Sequence, residues 1–179
     1  MNRAITIYAN LSLRTQITVI FCFALAVIST ALASEVFGGL VPCALCLKQR
    51  VAYYLALPLL LLAYWYAPRG NAAARGLVVT LGVVFLANAG LGIYHAGIEY
   101  GSWAGPATCG GGGALATSPE ALFDALQNSS IVRCDAAAWT LFGISLAGYN
   151  AIASAALALL AFGPTGQDNV NGETQKADA

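Results

Sequence analysis

Four long runs of mostly apolar residues constrain the fold of this chain more than any other feature of its sequence. The runs cover about residues 15–34, 47–67, 76–94 and 139–162. Each is close to the ~20 residues that a helix needs to cross the hydrocarbon core of a bilayer. Helices satisfy their own backbone hydrogen bonds in lipid, so runs of this length are expected to be helical. The sequence therefore predicts an all-α membrane protein whose single domain, residues 1–165, is a four-transmembrane-helix bundle.

The composition agrees with a chain that resides in a lipid bilayer. Charged residues make up 9% of it and hydrophobic residues 59%, whereas roughly a quarter of the residues in globular domains are charged. The formal net charge is +0, and without a basic surface to neutralise phosphates we expect no nucleic-acid binding. The polar segment 166–179 has no hydrophobic periodicity and is expected to be a disordered tail.

The first apolar run has a second interpretation, as a secretion signal. Ala31-Leu32-Ala33 before Ser34 resembles a signal-peptidase cleavage site. The run is longer than the ~7–15 residues of a usual signal core, so a retained first span is favoured. The chemistry of the cysteines is independent of this choice.

Lysine and arginine residues predict how the four spans are oriented. An even number of spans places loops 35–46 and 95–138 on the same side of the membrane. The opposite side carries Arg3, Arg14, Arg69, Arg75 and Lys176, and the loop side carries Lys48, Arg50 and Arg133. Because these cations are enriched on the cytoplasmic side of membrane proteins, both termini are predicted to be cytoplasmic. The two loops then face an oxidising compartment, in which disulfides persist.

Polar and small residues inside the spans predict how the helices pack. Asn88 is strongly polar and lies within the third run, where an interhelical hydrogen bond is the expected role. The fourth run has small residues at four-residue intervals, which let helices approach closely. They are Gly143, Ala147, Ala151 and Ala155.

The second loop contains a predicted short helix. Ser118-Pro119-Glu120 offers a capping oxygen, a proline suited to the first helical position and an acid near the positive end of the helix dipole. Leu122, Phe123 and Leu126 then share one face. Such a helix could lie on the membrane surface or pack on the bundle as an ordinary loop helix, and both alternatives keep the loop near the membrane.

Five cysteines are present, and four of them fall in the two loops. Cys22 lies within the first apolar run and is expected to be a small buried hydrophobic residue. Cys43 and Cys46 form a C-x-x-C pair, whereas Cys109 and Cys134 are far apart in sequence. A zinc ribbon would need a second close pair, so no metal site is expected. Two structural disulfides remain an alternative to a redox function.

The C-x-x-C pair has the features of a reactive thiol site. A cysteine at a helix start beside a cation can have a lowered thiol pKa. Arg50 lies four residues after Cys46, on the same helical face, so Cys46 is predicted to be the stabilised thiolate and Cys43 its exchanging partner. Lys48 and Arg50 could instead anchor the helix at the interface. Cys109 precedes four glycines, which would let its backbone move during exchange or form a simple linker.

Four motifs occur together along the chain. The first two are Pro42-Cys43-Ala44-Leu45-Cys46 with Arg50, and Tyr94-His95-Ala96-Gly97-Ile98-Glu99-Tyr100 leading to Gly105-Pro106-Ala107-Thr108-Cys109. The others are Cys134-Asp135 with Trp139, and Gly143-Ile144-Ser145-Leu146-Ala147-Gly148-Tyr149-Asn150. Together these motifs resemble the DsbB family of bacterial inner-membrane thiol:quinone oxidoreductases, and the resemblance extends from the first span to the fourth. The resemblance implies a multi-pass inner-membrane protein with periplasmic cysteine loops. It also implies reoxidation of a periplasmic, DsbA-like dithiol oxidase of the thioredoxin fold, with electrons passing to ubiquinone or menaquinone.

The resemblance also implies roles for individual residues. Cys109 would form the mixed disulfide with the partner protein, and Cys134 would be its disulfide mate. Cys43 and Cys46 would be the quinone-coupled pair, with Cys46 beside the quinone ring. Arg50 would stabilise charge there, and His95 matches a family histidine near the quinone.

This sequence departs from the family in one place. Leu47-Lys48-Gln49 stands where many members have an aromatic residue and an acid next to the arginine, which leaves the preferred quinone open. Two other functions remain as alternatives. One is a vitamin K epoxide reductase-like enzyme, although its C-x-x-C lies late in the bundle, and the other is a non-catalytic membrane protein with two structural disulfides.

Overall fold

A computed structural model describes residues 12–69, 72–106 and 134–163. These residues form four α-helices and one small hairpin. The helices are α1 (Leu13–Val36), α2 (Ala44–Tyr66), α3 (Ala72–Glu99) and α4 (Leu146–Phe162). The hairpin strands are β1 (Thr140–Leu141) and β2 (Ile144–Ser145), and a 3₁₀ turn, Ala67–Arg69, follows α2.

The helices form an antiparallel, up-down-up-down bundle. At one end, Arg75 near the start of α3 donates to the carbonyl oxygens of Ala161, at 3.1 Å, and Gly163, at 3.0 Å. Gln16 of α1 donates to the Leu160 carbonyl at 2.7 Å. The last carbonyls of α4 lack partners within their own helix, so these two side chains join the end of α4 to α1 and α3.

The helices have the length and composition of membrane spans. Within the described residues, α1, α2 and α3 are each long and apolar enough to cross a bilayer, and α4 is a shorter apolar helix. Many of their large apolar side chains face outward, such as Leu25, Leu55 and Leu86. The chain is therefore a multi-pass membrane protein built as a four-helix bundle, as the apolar runs predict.

Small residues bring α3 and α4 into close contact. A Cβ atom on Gly92 would lie 2.9 Å from the Cβ of Ala151, and one on Gly82 would lie 3.0 Å from the Cβ of Ala161. Neither position has room for a larger side chain. Asn88 of α3 donates to the Ser154 hydroxyl of α4 at 3.0 Å, which confirms the predicted interhelical hydrogen bond.

The helix ends differ from the predicted spans in ways that matter for the site. α2 begins at Ala44, so Cys46 lies in its first turn, and α3 continues to Glu99. His95, predicted to begin a loop, is therefore helical. The fourth run begins with the hairpin rather than a helix, because Phe142 and Gly143 have φ angles of 51° and 78°. Such positive values suit a two-residue hairpin loop but not an α-helix.

Other predictions have different outcomes. Cys22 is exposed on α1, so the expectation that it is buried is wrong. The predicted loop helix from Ser118, the polar tail 166–179 and Cys109 lie outside the described residues.

Candidate functional site

The two cysteines of the C-x-x-C motif occupy the start of α2. Cys43 is the N-cap residue, and its sulfur accepts a hydrogen bond from the backbone N–H of Cys46 at 3.3 Å. The two sulfur atoms are 3.0 Å apart, and both cysteines are free thiols. A side chain at the N-cap normally satisfies a free N–H of the first turn, and here a cysteine sulfur does so.

The contacts around Cys43 favour its thiolate form. The hydrogen bond between the Cys43 and Cys46 side chains lowers the pKa of Cys43 to about 4, aided by His95, although burial acts in the opposite direction. The sequence-based expectation placed the stabilised thiolate at Cys46, beside Arg50. The N-cap geometry instead directs the Cys46 backbone N–H at the sulfur of Cys43.

His95 connects this pair to the interior of the bundle. Its Nε2 atom lies 3.4 Å from the Cys43 sulfur, and its Nδ1 atom lies 2.9 Å from Nε2 of Gln49. An amide nitrogen can only donate, so Nδ1 accepts and a neutral imidazole carries its proton on Nε2. That N–H faces the Cys43 sulfur. His95 is 1% exposed and is thus a buried partner of the thiol rather than a surface residue.

Glu99 lies one helical turn beyond His95. Its Oε1 atom is 3.8 Å from Nε2 of His95, and its side chain is 6% exposed. Among the described residues, its other oxygen, Oε2, has no hydrogen-bond partner. A buried carboxylate oxygen without a partner is costly, and sequence reasoning missed this residue because Glu99 was placed in a loop.

Arg50 is held on the side of the site formed by α1. Its guanidinium forms an ion pair with Glu35 at 2.5 Å and donates to the carbonyl oxygen of Ala31 at 3.4 Å. The Arg50 side chain is 12% exposed and that of Glu35 is 38% exposed. The pair lies at the edge of the bundle, and Arg50 keeps N–H groups beyond these two contacts because guanidinium has five.

A cavity of about 510 Å³ lies between α1, α2, α4 and the hairpin. Cys46, Gln49 and Arg50 line one part of it, and most of the remaining wall is apolar. Trp139 and Leu141 contribute part of that wall from the hairpin region. Its size falls in the range of about 300–1,000 Å³ that is typical of small-molecule sites.

A chain of polar side chains extends from His95 along the wall of this cavity. Asn150 donates to Oε1 of Gln49 at 2.6 Å, and Tyr53 donates to Oδ1 of Asn150 at 2.7 Å. Tyr53 also shares a hydrogen bond of 3.0 Å with Ser154. Sequence reasoning identified Gln49 only as a departure from the family pattern and assigned no role to Tyr53 or Asn150. Polar residues within the apolar runs were the available signal.

The expected site residues divide between two surroundings. Cys46 and Arg50 line the cavity, whereas His95 does not and instead contacts Cys43. Cys134 is 1% exposed and is disulfide-bonded. It packs with Cys43 in a small buried cluster completed by Leu45 and Ile98. The structure therefore brings Cys134 beside the C-x-x-C pair.

Comparison with known families identifies a match that covers most of the chain. The family model described as disulfide bond formation protein DsbB matches residues 13–163, which cover all four helices and the site. Neither the comparison with curated proteins nor the comparison with solved structures finds a match.

Proposed function

Because the chain belongs to the DsbB family of disulfide bond formation proteins, we propose that it is a thiol:quinone oxidoreductase of the bacterial inner membrane. It reoxidises a periplasmic, DsbA-like dithiol oxidase and passes the electrons to ubiquinone or menaquinone. Both termini are cytoplasmic, and the cysteine loops are periplasmic. These assignments go beyond family membership, and the surroundings of the C-x-x-C pair support the proposed redox chemistry.

The observation that carries the proposal is the position of the C-x-x-C pair between two surroundings. On one side, Cys43 belongs with Cys134 to a buried cluster, against which Cys46 also packs. On the other side, Cys46 lines the cavity together with Arg50. Thiol–disulfide exchange can therefore take place at Cys43, and Cys46 is the cysteine that can contact a ligand bound in the cavity.

The exchange begins at the second pair. A partner thiolate attacks Cys109, a sulfur–sulfur bond forms between them, and the bond from Cys109 to Cys134 breaks to leave a Cys134 thiolate. The second thiol of the partner then displaces Cys109 and leaves as part of the oxidised partner. Cysteine thiolates are the nucleophiles in such steps, and each step conserves the number of electrons held by the sulfur atoms.

The first pair then takes up the electrons. The Cys134 thiolate attacks the sulfur of Cys43 in the Cys43–Cys46 disulfide, and Cys46 leaves as a thiolate. Attack of Cys109 on Cys134 restores the second disulfide and leaves Cys43 and Cys46 reduced. The N–H of His95 and the backbone N–H of Cys46 face the sulfur of Cys43, so both can stabilise negative charge there.

The cavity fits a quinone headgroup. Its wall is largely apolar, and Arg50, Gln49 and Asn150 bring N–H donors to it. Each of these three side chains has more N–H groups than the contacts already described use. Ubiquinone or menaquinone bound there would supply the two-electron acceptor for the return of the Cys43 thiolate and the Cys46 thiol to a disulfide. The Cys46 thiol would give one of the two protons that the reduced quinone takes up, and water would give the other. His95, outside the cavity lining, acts through Cys43.

Thiol trapping of the four loop cysteines tests the proposal. Purified protein is mixed with a reduced thioredoxin-fold oxidase, quenched with an alkylating reagent and analysed by mass spectrometry. With quinone present, Cys43 and Cys46 should return to the disulfide form, and the partner should be oxidised in many turnovers. Without quinone, oxidation should stop after the protein's own disulfides are consumed. If quinone changes neither the thiol pattern nor the extent of partner oxidation, electron transfer to quinone is wrong.

The two alternative functions receive less support. A protein with two structural disulfides gives no role to the buried His95, whose Nε2 atom lies 3.4 Å from the Cys43 sulfur. A vitamin K epoxide reductase-like enzyme would carry the C-x-x-C motif late in the bundle, whereas here it begins the second helix.

A further inference from the structure

Three potential metal ligands meet at the start of α2. The sulfur atoms of Cys43 and Cys46 and a ring nitrogen of His95 lie within 4.8 Å of one another. Cysteine sulfur and histidine nitrogen are the preferred ligands of zinc, at about 2.3 Å and 2.0–2.1 Å. Tetrahedral binding at those lengths separates two sulfurs by about 3.8 Å, and a sulfur from a nitrogen by about 3.6 Å. The observed separations of 3.0 Å and 3.4 Å need only small side-chain rotations to match.

Glu99 lies beside this group but is not one of the three residues whose ligand atoms lie within 4.8 Å of one another, so it becomes a fourth ligand when its side chain rotates toward the metal. Its Oε1 atom lies 3.8 Å from Nε2 of His95, and the side chain is 6% exposed. Its Oε2 atom has no hydrogen-bond partner in the part of the chain that the structure describes. Carboxylate oxygens bind zinc at about 2.0–2.2 Å, and a cation beside His95 would satisfy this oxygen.

We infer that the reduced C-x-x-C pair, His95 and Glu99 form a binding site for one divalent cation of the zinc class. The Cys43 thiolate and the Cys46 thiol become two metal–sulfur bonds with release of the Cys46 proton, and no electrons are transferred. The disulfide form has no thiolate to offer, so it does not bind the cation. Metal binding therefore holds Cys43 and Cys46 in the reduced state and blocks their reoxidation, which makes the site an inhibitory one.

The hydrogen bonds behind His95 link this site to the cavity. In the structure, Nδ1 of His95 accepts a hydrogen bond from the Gln49 amide, so a neutral imidazole ring carries its proton on Nε2. A metal at Nε2 moves that proton to Nδ1, and Gln49 must then turn its amide oxygen toward the ring. That oxygen now accepts from Asn150 at 2.6 Å, so the Asn150 amide turns as well. Because Gln49 and Asn150 line the cavity, metal binding changes the polar groups that the cavity presents.

Metal titration of the full-length protein in detergent tests the inference. Cys109→Ser and Cys134→Ser are introduced together, so that the second pair does not compete for metal. The reduced protein is titrated with Cd²⁺, which gives an ultraviolet thiolate-to-metal absorption, and with Zn²⁺ in competition with a coloured chelator. We expect one ion per reduced chain and none after Cys43 and Cys46 are oxidised. No binding by the reduced protein, or equal binding by both forms, would overturn the inference.

Substitutions distinguish a metal site that includes His95 from chelation of the metal by the two cysteine thiols alone. His95→Ala should weaken Zn²⁺ binding by about tenfold or more, because altered groups around a metal site typically change affinity by about 10–100-fold. Gln49→Glu should strengthen it by about tenfold, since a carboxylate that accepts from Nδ1 makes the ring a better ligand. Lys48→Gln, an exposed neighbour on α2, is the matched control and should leave the affinity unchanged.

The two substitutions that should change the affinity, His95→Ala and Gln49→Glu, together make the test decisive. A gain of affinity in Gln49→Glu that disappears in the Gln49→Glu, His95→Ala double variant cannot result from misfolding or from the added charge alone, so it assigns the effect to His95. Unchanged affinity in both variants would show that His95 is not a ligand. The titration needs neither quinone nor partner protein, so its failure is distinct from a failure of the proposed electron transfer.

Discussion

Replacement of Arg50 by methionine should slow electron transfer to quinone without unfolding the protein. Arg50 lines the cavity beside Cys46, and a hydrogen bond from a charged group is worth about 1.5–3 kcal/mol. With a factor of ten for each ~1.4 kcal/mol, kcat/KM for quinone should fall by about 10- to 150-fold. Methionine keeps much of the apolar side chain, so the loss reports the guanidinium.

The surroundings of Arg50 predict a small effect on stability. Its partner Glu35 has a side chain that is 38% exposed, so the orphaned carboxylate can be hydrated. Partly exposed ion pairs contribute about 0–1 kcal/mol, and the unfolding free energy should change by no more than that. A large loss of stability would mean that the kinetic effect cannot be assigned to quinone binding.

The assay follows loss of quinone absorbance at varied quinone concentration, with a reduced thioredoxin-fold partner in excess. Lys48→Met is the matched control, because Lys48 is exposed on the same helix and should retain wild-type kinetics. If Arg50→Met keeps kcat/KM within about twofold of the wild type, the worth assigned to the charged hydrogen bond is wrong. Arg50 would then be an interfacial anchor.

Three further outcomes are expected. Cys109→Ala should abolish the mixed disulfide with the partner on non-reducing gels while retaining bound quinone, and a persisting mixed disulfide would move that role to another cysteine. Tyr53→Phe should lower the unfolding free energy by about 0.5–1.5 kcal/mol, because the part-buried Oδ1 of Asn150 loses the hydrogen bond from Tyr53. Calorimetry showing no loss would contradict this. Gly92→Leu should lower the unfolding free energy by about 1–3 kcal/mol or more, because the larger side chain overpacks against α4. Gly90→Ala should have no effect, because a Cβ there meets nothing within 4 Å. Equal melting temperatures for the two variants would contradict the close packing of α3 on α4.

The sequence predicts the bundle well because the relevant signals are local. An apolar run of membrane length defines a span by itself, and Asn88 within such a run can be assigned an interhelical partner without knowing which one. The ends of the helices are harder to predict from the sequence. The extension of α3 to Glu99 and the hairpin before α4 depend on contacts from distant parts of the chain, such as the hydrogen bond of 2.8 Å from Tyr100 to the carbonyl of Gly143.

The candidate site also has one part that the sequence predicts and one part that it does not. The C-x-x-C motif and Arg50 are visible as spacing on one helix, so their positions at the start of α2 follow from the sequence. The polar chain joins three helices, because Gln49, His95 and Asn150 come from α2, α3 and α4. Which polar residues meet depends on how each helix is rotated about its axis, and that rotation is set by packing of the whole bundle.

The different surroundings of the two sulfur atoms follow from where the helix begins. Had α2 begun after Cys46, both cysteines would lie in a loop, and neither would have a fixed direction. Because Cys43 is the N-cap and Cys46 lies in the first turn, Cys43 belongs to the buried cluster that contains Cys134, whereas Cys46 packs against that cluster and also lines the cavity. In the proposed function, thiol exchange and quinone reduction would then use different sulfur atoms only 3.0 Å apart. An incoming thiolate at Cys43 therefore does not need to displace a ligand that occupies the cavity beside Cys46.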